Sequence, residues 1–260
     1  TLVLNSSAVN AYTGTTTLNL GTLQFGSSAQ ATNPLFYKFS TPGNVASIAP
    51  TVNANDLLVN PGASLDLNGK NLSTGGIYVA GATSTLPYTG GTVTNTGALA
   101  DLITDYGTTR DFTGVISGAI NFYKAGSNQL ILHSNNTYTG ATTIMGSVLS
   151  LVDQGSLSGT SALTIRNSVL LWDDSGLQAV SNRIPASLPV SLDGGAISYN
   201  SRSGTDGSIS IGSLNLLGSV NVLRANIGNS GIGSATLNLA GINSRSTGAT
   251  LNFYSSAGSP

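Results

Sequence analysis

The sequence of 260 residues contains no cysteine. A disulfide framework, a cysteine nucleophile and a metal site built on thiolates are therefore all excluded. The absence of thiols also suits export of an unfolded chain, because no premature disulfide can form during translocation.

Charge is scarce as well. Charged residues make up only 7% of the chain, glutamate is absent and the formal net charge is −1. The few lysines and arginines are scattered, so we expect no binding to nucleic acid or to an anionic membrane surface. The single histidine, His133, excludes a multi-histidine metal site, and we predict that it is an exposed residue at a strand end or turn. No cofactor is expected.

Long hydrophobic runs are also missing. No apolar stretch approaches the roughly 20 residues that a membrane helix needs, so we expect no direct membrane insertion of this segment. Hydrophobic residues nevertheless make up 40% of the chain and are spread along its length. This content favours a packed core over disorder.

The sequence is rich in small polar residues, with 33 glycines and 91 serines, threonines and asparagines. Such residues are typical of turns. Between them, apolar and polar residues alternate in short segments, for example at Leu163 and Ile165, which predicts strands with one buried face. Helical patterns are confined to Gly97–Tyr106 and Ser175–Asn182.

An internal repeat distinguishes among the possible β architectures. The segment at 129–151 is similar to the segment at 1–25, and the tripeptide Tyr-Thr-Gly at 138–140 aligns with the same tripeptide at 12–14. The first copy has two extra residues before its Tyr, and the strand phase is kept, as stacked coils tolerate. With about 20 to 25 residues per coil, roughly ten to twelve coils would form a stack on the order of 50 to 60 Å long.

The segment Asn136–Leu151, preceded by Lys124 and Gly126, resembles the autotransporter-associated β-strand repeat family. The resemblance implies a right-handed parallel β-helix, displayed outside a Gram-negative bacterium and exported through an outer-membrane barrel at the C-terminus of the precursor. Because Leu251–Pro260 lacks the features of a terminal barrel strand, we expect that barrel to be cleaved away or to lie outside this sequence.

We therefore predict an all-β chain, a single right-handed parallel β-helix over residues 1–260 with lateral loops. The family's repeat is a folding unit without catalytic residues, which favours a structural or adhesive rod and not an enzyme. Partners would be other cell-surface molecules, including glycans, or the chain itself. Since both ends of a β-helix have unpaired edges, head-to-tail assembly into a fibre is a variant of this hypothesis.

Two stretches depart from the coil pattern and are predicted to carry recognition. One lies within residues 28–61, where four of the eight prolines fall at positions 34, 42, 50 and 61. Proline cannot donate to an internal ladder, so part of this stretch should protrude. The second is 173–189. The candidate recognition residues are Phe36, Tyr37, Phe39, Trp172, Asp173 and Asp174.

The alternative function is a polysaccharide-active β-helix enzyme, which would need clustered carboxylates in one solvent groove. Asp173 and Asp174 would point to opposite faces if extended. Asp101 and Asp105 would share a face at close range only on a helix, and Asp111 lies beside Arg110 in sequence. We expect these carboxylates to be solvated caps of turns.

Overall fold

The computed structural model describes residues 1–4, 14–26, 56–79, 86–105, 107–228 and 232–256. In these residues every regular element is a β-strand, and every pair of hydrogen-bonded strands is parallel. The strands, numbered β1 to β25 in chain order, stack in three columns that do not close into a barrel. The predicted parallel β-helix is thereby confirmed, whereas its right hand stays a prediction.

The chain visits the columns in turn, so that a coil adds one strand to each of them, but after residue 173 the described strands fall in the second and third columns only. The first column contains β1 (Leu2–Leu4), β3 (Gly21–Phe25), β5 (Ala63–Asp66), β8 (Thr92–Thr94) and β11 (Val115–Ile116). The two-stranded sheet of β14 (Asn135–Asn136) and β17 (Ser156–Leu157) continues this column, because β14 packs on β11. The second contains β6 (Leu72–Thr74), β9 (Ala100–Asp105), β12 (Ile120–Ala125), β15 (Thr142–Ile144), β18 (Leu163–Arg166), β20 (Val190–Asp193), β22 (Thr205–Gly218) and β24 (Gly233–Arg245). The third contains β2 (Thr16–Leu18), β4 (Leu57–Val59), β7 (Ile77–Tyr78), β10 (Arg110–Phe112), β13 (Leu130–Leu132), β16 (Val148–Leu151), β19 (Val169–Asp173), β21 (Ala196–Asn200), β23 (Val220–Asn226) and β25 (Thr250–Ser256).

The third column is the longest, with ten strands, because β10 packs on β7 and joins its two sheets. Nine intervals of about 4.8 Å give a stack of roughly 43 Å. The coils are not uniform in length: the register partners Phe112 and Leu132 are 20 positions apart, whereas Asn226 and Ser256 are 30 positions apart. Extra residues are accommodated in longer strands and in loops, so the register of the core is kept.

Continuous ladders of inward side chains form the core. In the third column one ladder runs through Phe112, Leu132, Leu151, Trp172 and Tyr199, and all five side chains are buried. A single coil has no partner for such a face, since its apolar side chains are covered only by the coils above and below. Stacking therefore supplies the hydrophobic burial that stabilises the fold.

The two repeat copies occupy different columns. In the second copy Leu130 pairs with Leu149 in the third column, and in the first copy the equivalent Leu2 pairs with Leu23 in the first column. The strand–turn–strand unit thus completes one coil in both places but starts from a different side of the helix. The repeat specifies a turn of the coil and not a particular face.

The outermost coils are only half covered. Leu2 on β1 is 65% exposed, and Phe253 on β25 is 69% exposed, although both follow the alternating pattern of the inner strands. The pattern identifies which face is apolar, and a neighbouring coil is needed to bury that face.

Neither predicted helix is present. The stretch 97–105 contains β9, and 175–182 forms bends without a helix. Strand β9 pairs with β6 on one side and β12 on the other, and its inward residues Ala100 and Leu102 are buried. Pairing of β9 with both neighbouring strands therefore outweighs the helix-like spacing of its apolar residues.

Of the two predicted lateral loops, residues 27–55 lie outside the described part of the chain, as do Phe36, Tyr37 and Phe39. The second loop, residues 174–189, is described. It follows β19 and takes the place of a strand in the first column, because Leu157 N in β17 donates to Arg183 O at 2.6 Å. Ile184 and Leu188 of this loop are buried in the core.

Candidate functional site

His133 lies between two carboxylates that neighbouring coils supply. Its Nδ1 is 2.7 Å from Asp153 Oδ2, and its Nε2 is 2.9 Å from Asp111 Oδ1. The imidazole side chain is only 4% exposed, whereas that of Asp111 is 35% exposed. The prediction of an exposed turn residue was wrong, because the carboxylates of the coils on either side satisfy both ring nitrogens and make burial favourable.

The surroundings of His133 favour its charged form. Burial lowers the pKa of His133, but the hydrogen bonds and negative charges of Asp111 and Asp153 outweigh burial and raise it above the ordinary value. With both nitrogens engaged, the ring has no free lone pair for a substrate proton. This cluster therefore links coils and does not form the base of a catalytic triad.

A second buried cluster fastens the loop 174–189. Arg183 is fully buried, and its Nη2 donates to Asp174 Oδ1 at 2.7 Å. Its Nη1 donates to the carbonyl oxygen of Gly155 at 2.6 Å, and Tyr199 Oη donates to the other Asp174 oxygen at 3.2 Å. Burial lowers the pKa of Arg183, an effect that the nearby Asp174 opposes.

Trp172 and Asp174 are thus placed inside the protein and not on an exposed recognition surface. The indole of Trp172 is fully buried and donates to the carbonyl oxygen of Val180 at 3.0 Å. Asp173 points to the other side of the strand, as the alternation predicts, and is half-buried, with Oδ1 accepting from Ser175 N at 2.9 Å. A recognition role for Asp173 stays a prediction.

Lys124 faces inward and forms a third buried polar site. It stands in the second-column ladder between Thr104 and Ile144. Its Nζ donates to the carbonyl oxygens of Ala125 and Asn128, at the end of β12 and in the turn that follows it, and to that of Gly146, in the turn after β15 of the next coil. Burial lowers the pKa of Lys124 to about 8, against the opposing charge of Asp105. This contact explains the lysine that precedes the second repeat copy.

One polar groove of about 660 Å³ opens beside the turns that follow β19, β21 and β23. Amide, hydroxyl and backbone groups line it, together with one guanidinium. The lining residues are Ser175, Asn200, Ser201, Arg202, Ser203, Asn226, Ile227 and Gly228. Its polar groups converge in a concave space that is large enough for a small polar ligand.

The remaining carboxylates do not come together in this groove. Asp101 and Asp105 lie on strand β9, where four residues span about 13 Å. Within the described ranges no group of three or more His, Asp or Glu side chains has an arrangement that could hold a metal ion. In the same residues no helix is long and apolar enough to cross a membrane.

Asparagine side chains link neighbouring coils at several positions. Asn221 is buried, and its Oδ1 accepts from Gly195 N while its Nδ2 donates to Thr250 O in the next coil. Asn238 Nδ2 donates to the Ile209 carbonyl oxygen of the preceding coil at 3.2 Å. These bonds support a scaffold role for the small polar residues.

Sequence reasoning missed Arg183, the cage around Lys124 and the groove. An isolated arginine in a polar loop carries no sequence signal for burial, since its partners Asp174 and Gly155 are 9 and 28 positions away. The Lys-x-Gly element before the second repeat was the one available sign of the Lys124 site.

Stacked parallel coils around a continuous apolar core define the class of this protein as a parallel β-helix. The model of the passenger-associated transport repeat, the repeat of autotransporter passenger domains, matches residues 1–25 and 122–151. The resemblance seen in the sequence is confirmed in these two segments, and the second match begins at β12, two residues before Lys124. No curated protein and no solved structure matches the chain significantly.

Proposed function

We propose that this chain is a rigid segment of an autotransporter passenger domain, secreted by a Gram-negative bacterium or displayed on its surface, with a structural or adhesive role. The observation that carries the proposal is the pair of transport-repeat segments, each of which forms one coil of the same stack. Each repeat closes one coil, so repetition extends a rod without requiring a new core.

The chemistry of the buried clusters supports a scaffold and favours no reaction. His133, Lys124 and Arg183 are the groups in which catalysis would first be sought, yet each is saturated by partners inside the protein. The transport repeat is not a known enzyme family. We therefore propose that these clusters fix neighbouring coils to each other.

Export to the surface is the direct test. The chain would be placed between a signal peptide and an autotransporter translocator in a Gram-negative host, and intact cells would be treated with an external protease. We expect the chain to be accessible on intact cells and, because the coils are compact, to yield a large resistant fragment. Accumulation in the periplasm, or complete digestion at the rate of an unfolded chain, would overturn the proposal.

End-to-end contact with a second copy is part of the same proposal. The outermost described coils have unpaired strand edges, and Leu2 at one end and Phe253 at the other are mostly exposed. A second copy that added its first coil to β24 and β25 would cover these side chains. Sedimentation velocity would show concentration-dependent growth that Phe253→Asp reduces, whereas a strict monomer at high concentration would contradict the contact.

A further inference from the structure

We propose that the groove beside Arg202 binds an acidic saccharide, with the guanidinium holding a sugar carboxylate and the surrounding amides and hydroxyls holding sugar hydroxyls. The inference deepens the proposed function, on which it rests, by assigning a ligand class to the adhesive role. It concerns the turns that follow the third column and not the stack itself.

The size and lining of the groove suit a sugar unit. Its volume of about 660 Å³ is within the usual range for small-ligand sites. Arg202 is the only charged residue in the lining, and the other polar side chains are asparagine and serine. A ligand rich in hydroxyl groups with one negative charge matches this set.

Arg202 is anchored but not saturated. Its Nη1 donates to the carbonyl oxygens of Gly176 and Leu177, each at 3.1 Å. A guanidinium has five N–H donors in a planar fork. The hydrogens on Nε and Nη2 have no hydrogen-bond partner among the described residues, and Arg202 is exposed. The free side of the fork can therefore take a carboxylate in a bidentate, charge-assisted contact.

Two asparagines in the lining of the groove present further donors and acceptors. Asn200 and Asn226 are register partners on β21 and β23, about 4.8 Å apart. Asn226 Nδ2 donates to Asn200 Oδ1 at 2.8 Å, which fixes both amides. The Asn200 Nδ2 donors and the Asn226 Oδ1 acceptor are left for hydroxyl groups, which both donate and accept.

The buried clusters hold the groove in shape. The turn that Arg202 contacts is fastened by Leu177 N, which donates to Asp153 Oδ1. The same loop is fixed further along by the ion pair of Arg183 with Asp174. A preorganised wall reduces the entropy lost on binding, which is what a site for a weakly held saccharide needs.

Titration of the full chain followed by NMR would test the inference. The probes are an unbranched hexuronate trimer and a neutral hexose trimer of the same linkage. We expect saturable shifts for the hexuronate, centred on the side-chain amides of Asn200 and Asn226, and at least tenfold weaker binding of the neutral trimer, since about 1.4 kcal/mol corresponds to tenfold. Equal binding of both trimers, or no saturable shift, would overturn the inference.

Three variants distinguish binding in the groove from non-specific attraction of the acidic trimer to positive charge. Arg202→Gln should weaken hexuronate binding about tenfold or more, by loss of the charge-assisted contact. Arg166→Gln removes the same charge from β18, outside the groove, and should bind as the unmodified chain does. Ser175→Trp fills the groove without removing Arg202 and should abolish binding. Unchanged binding by Arg202→Gln or by Ser175→Trp, each verified as folded by its spectrum, would contradict the site.

The outcome does not depend on the test of export. Loss of binding in Arg202→Gln with surface display retained would support the site within the scaffold. Display without any saccharide binding would remove the ligand assignment and leave the scaffold role in place.

Discussion

At the scale of single residues, polar and charged side chains are buried where coils meet. His133, Lys124 and Arg183 take their partners from positions 20 or more residues away as well as from nearby turns. A buried charge without a partner is strongly unfavourable, so each of these contacts also selects one register of the stack. Specificity of stacking is a consequence of their burial.

The raised pKa of His133 makes stability depend on pH. A folded-state pKa above the ordinary 6.5 means that the folded protein holds the proton more tightly than the unfolded chain does. The stabilisation is complete below pH 6.5 and is lost as the pH rises through the raised pKa. As the pH rises through this window, the urea concentration at the unfolding midpoint should therefore decrease for the unmodified chain. It should decrease less for His133→Gln.

The titration of Lys124 does not affect this comparison. It contributes equally to the pH dependence of both proteins and therefore cancels in the difference between their urea midpoints. If the urea midpoints of the unmodified chain and of His133→Gln changed in parallel with pH, the ionised bridge of His133 with Asp111 and Asp153 would contribute no stability.

The ion pair of Arg183 with Asp174 should show strong coupling. Removing one partner in Asp174→Leu or Arg183→Met leaves the other charge buried and should cost about 3 to 5 kcal/mol in the free energy of unfolding. The double variant should cost much less than the sum of the two single losses. Asp206→Ala, at an exposed position, serves as control and should change stability by less than about 0.5 kcal/mol. Additive losses in the cycle would refute the coupling.

At the scale of elements, the glycine of the Tyr-Thr-Gly motif is required by close stacking. A Cβ on Gly140 would overlap the carbonyl group of Ile120 in the preceding coil. The equivalent Gly14 of the first repeat copy lies on the outermost coil, where a Cβ would meet no described atom within 4 Å. The same motif therefore carries a steric constraint only where a coil lies beneath it.

Alanine at these two glycines gives a matched comparison. Gly140→Ala should destabilise the chain by about 1 to 3 kcal/mol through overpacking against backbone. Gly14→Ala should stay within about 0.5 kcal/mol. Thermal unfolding of the two variants measures the difference, and equal losses would contradict the role of stacking.

The sequence was sufficient to predict the strands and the repeat but not their surroundings. The alternation at Leu163 and Ile165 predicted a buried face, and both residues are buried. The same alternation at Leu2 did not reveal that this side chain is 65% exposed, because coverage depends on the next coil. Asp174 failed as a surface prediction for a similar reason: its partner Arg183 arrives through the fold of a loop whose path has no sequence signature.

At the scale of the whole molecule, the distance between two residues follows their separation along the stack and not along the chain. Outward residues of the second column form one ladder through Tyr123, Thr143, Thr164, Ser191 and Asn215. The chain separation from Tyr123 to Asn215 is 92 residues, yet only four coil intervals lie between them. Their backbones should be about 19 Å apart.

Pulsed electron paramagnetic resonance on spin-labelled pairs is the most direct measurement of this arrangement, and the absence of native cysteine allows each pair to be introduced cleanly. One label would be placed at Tyr123 and the other at Ser191, Asn215 or Ser244, which are three, four and five coil intervals away. In a stack of parallel coils, these distances should rise by about 4.8 Å at each step. Distances that fail to increase in this order would contradict a stack of parallel coils.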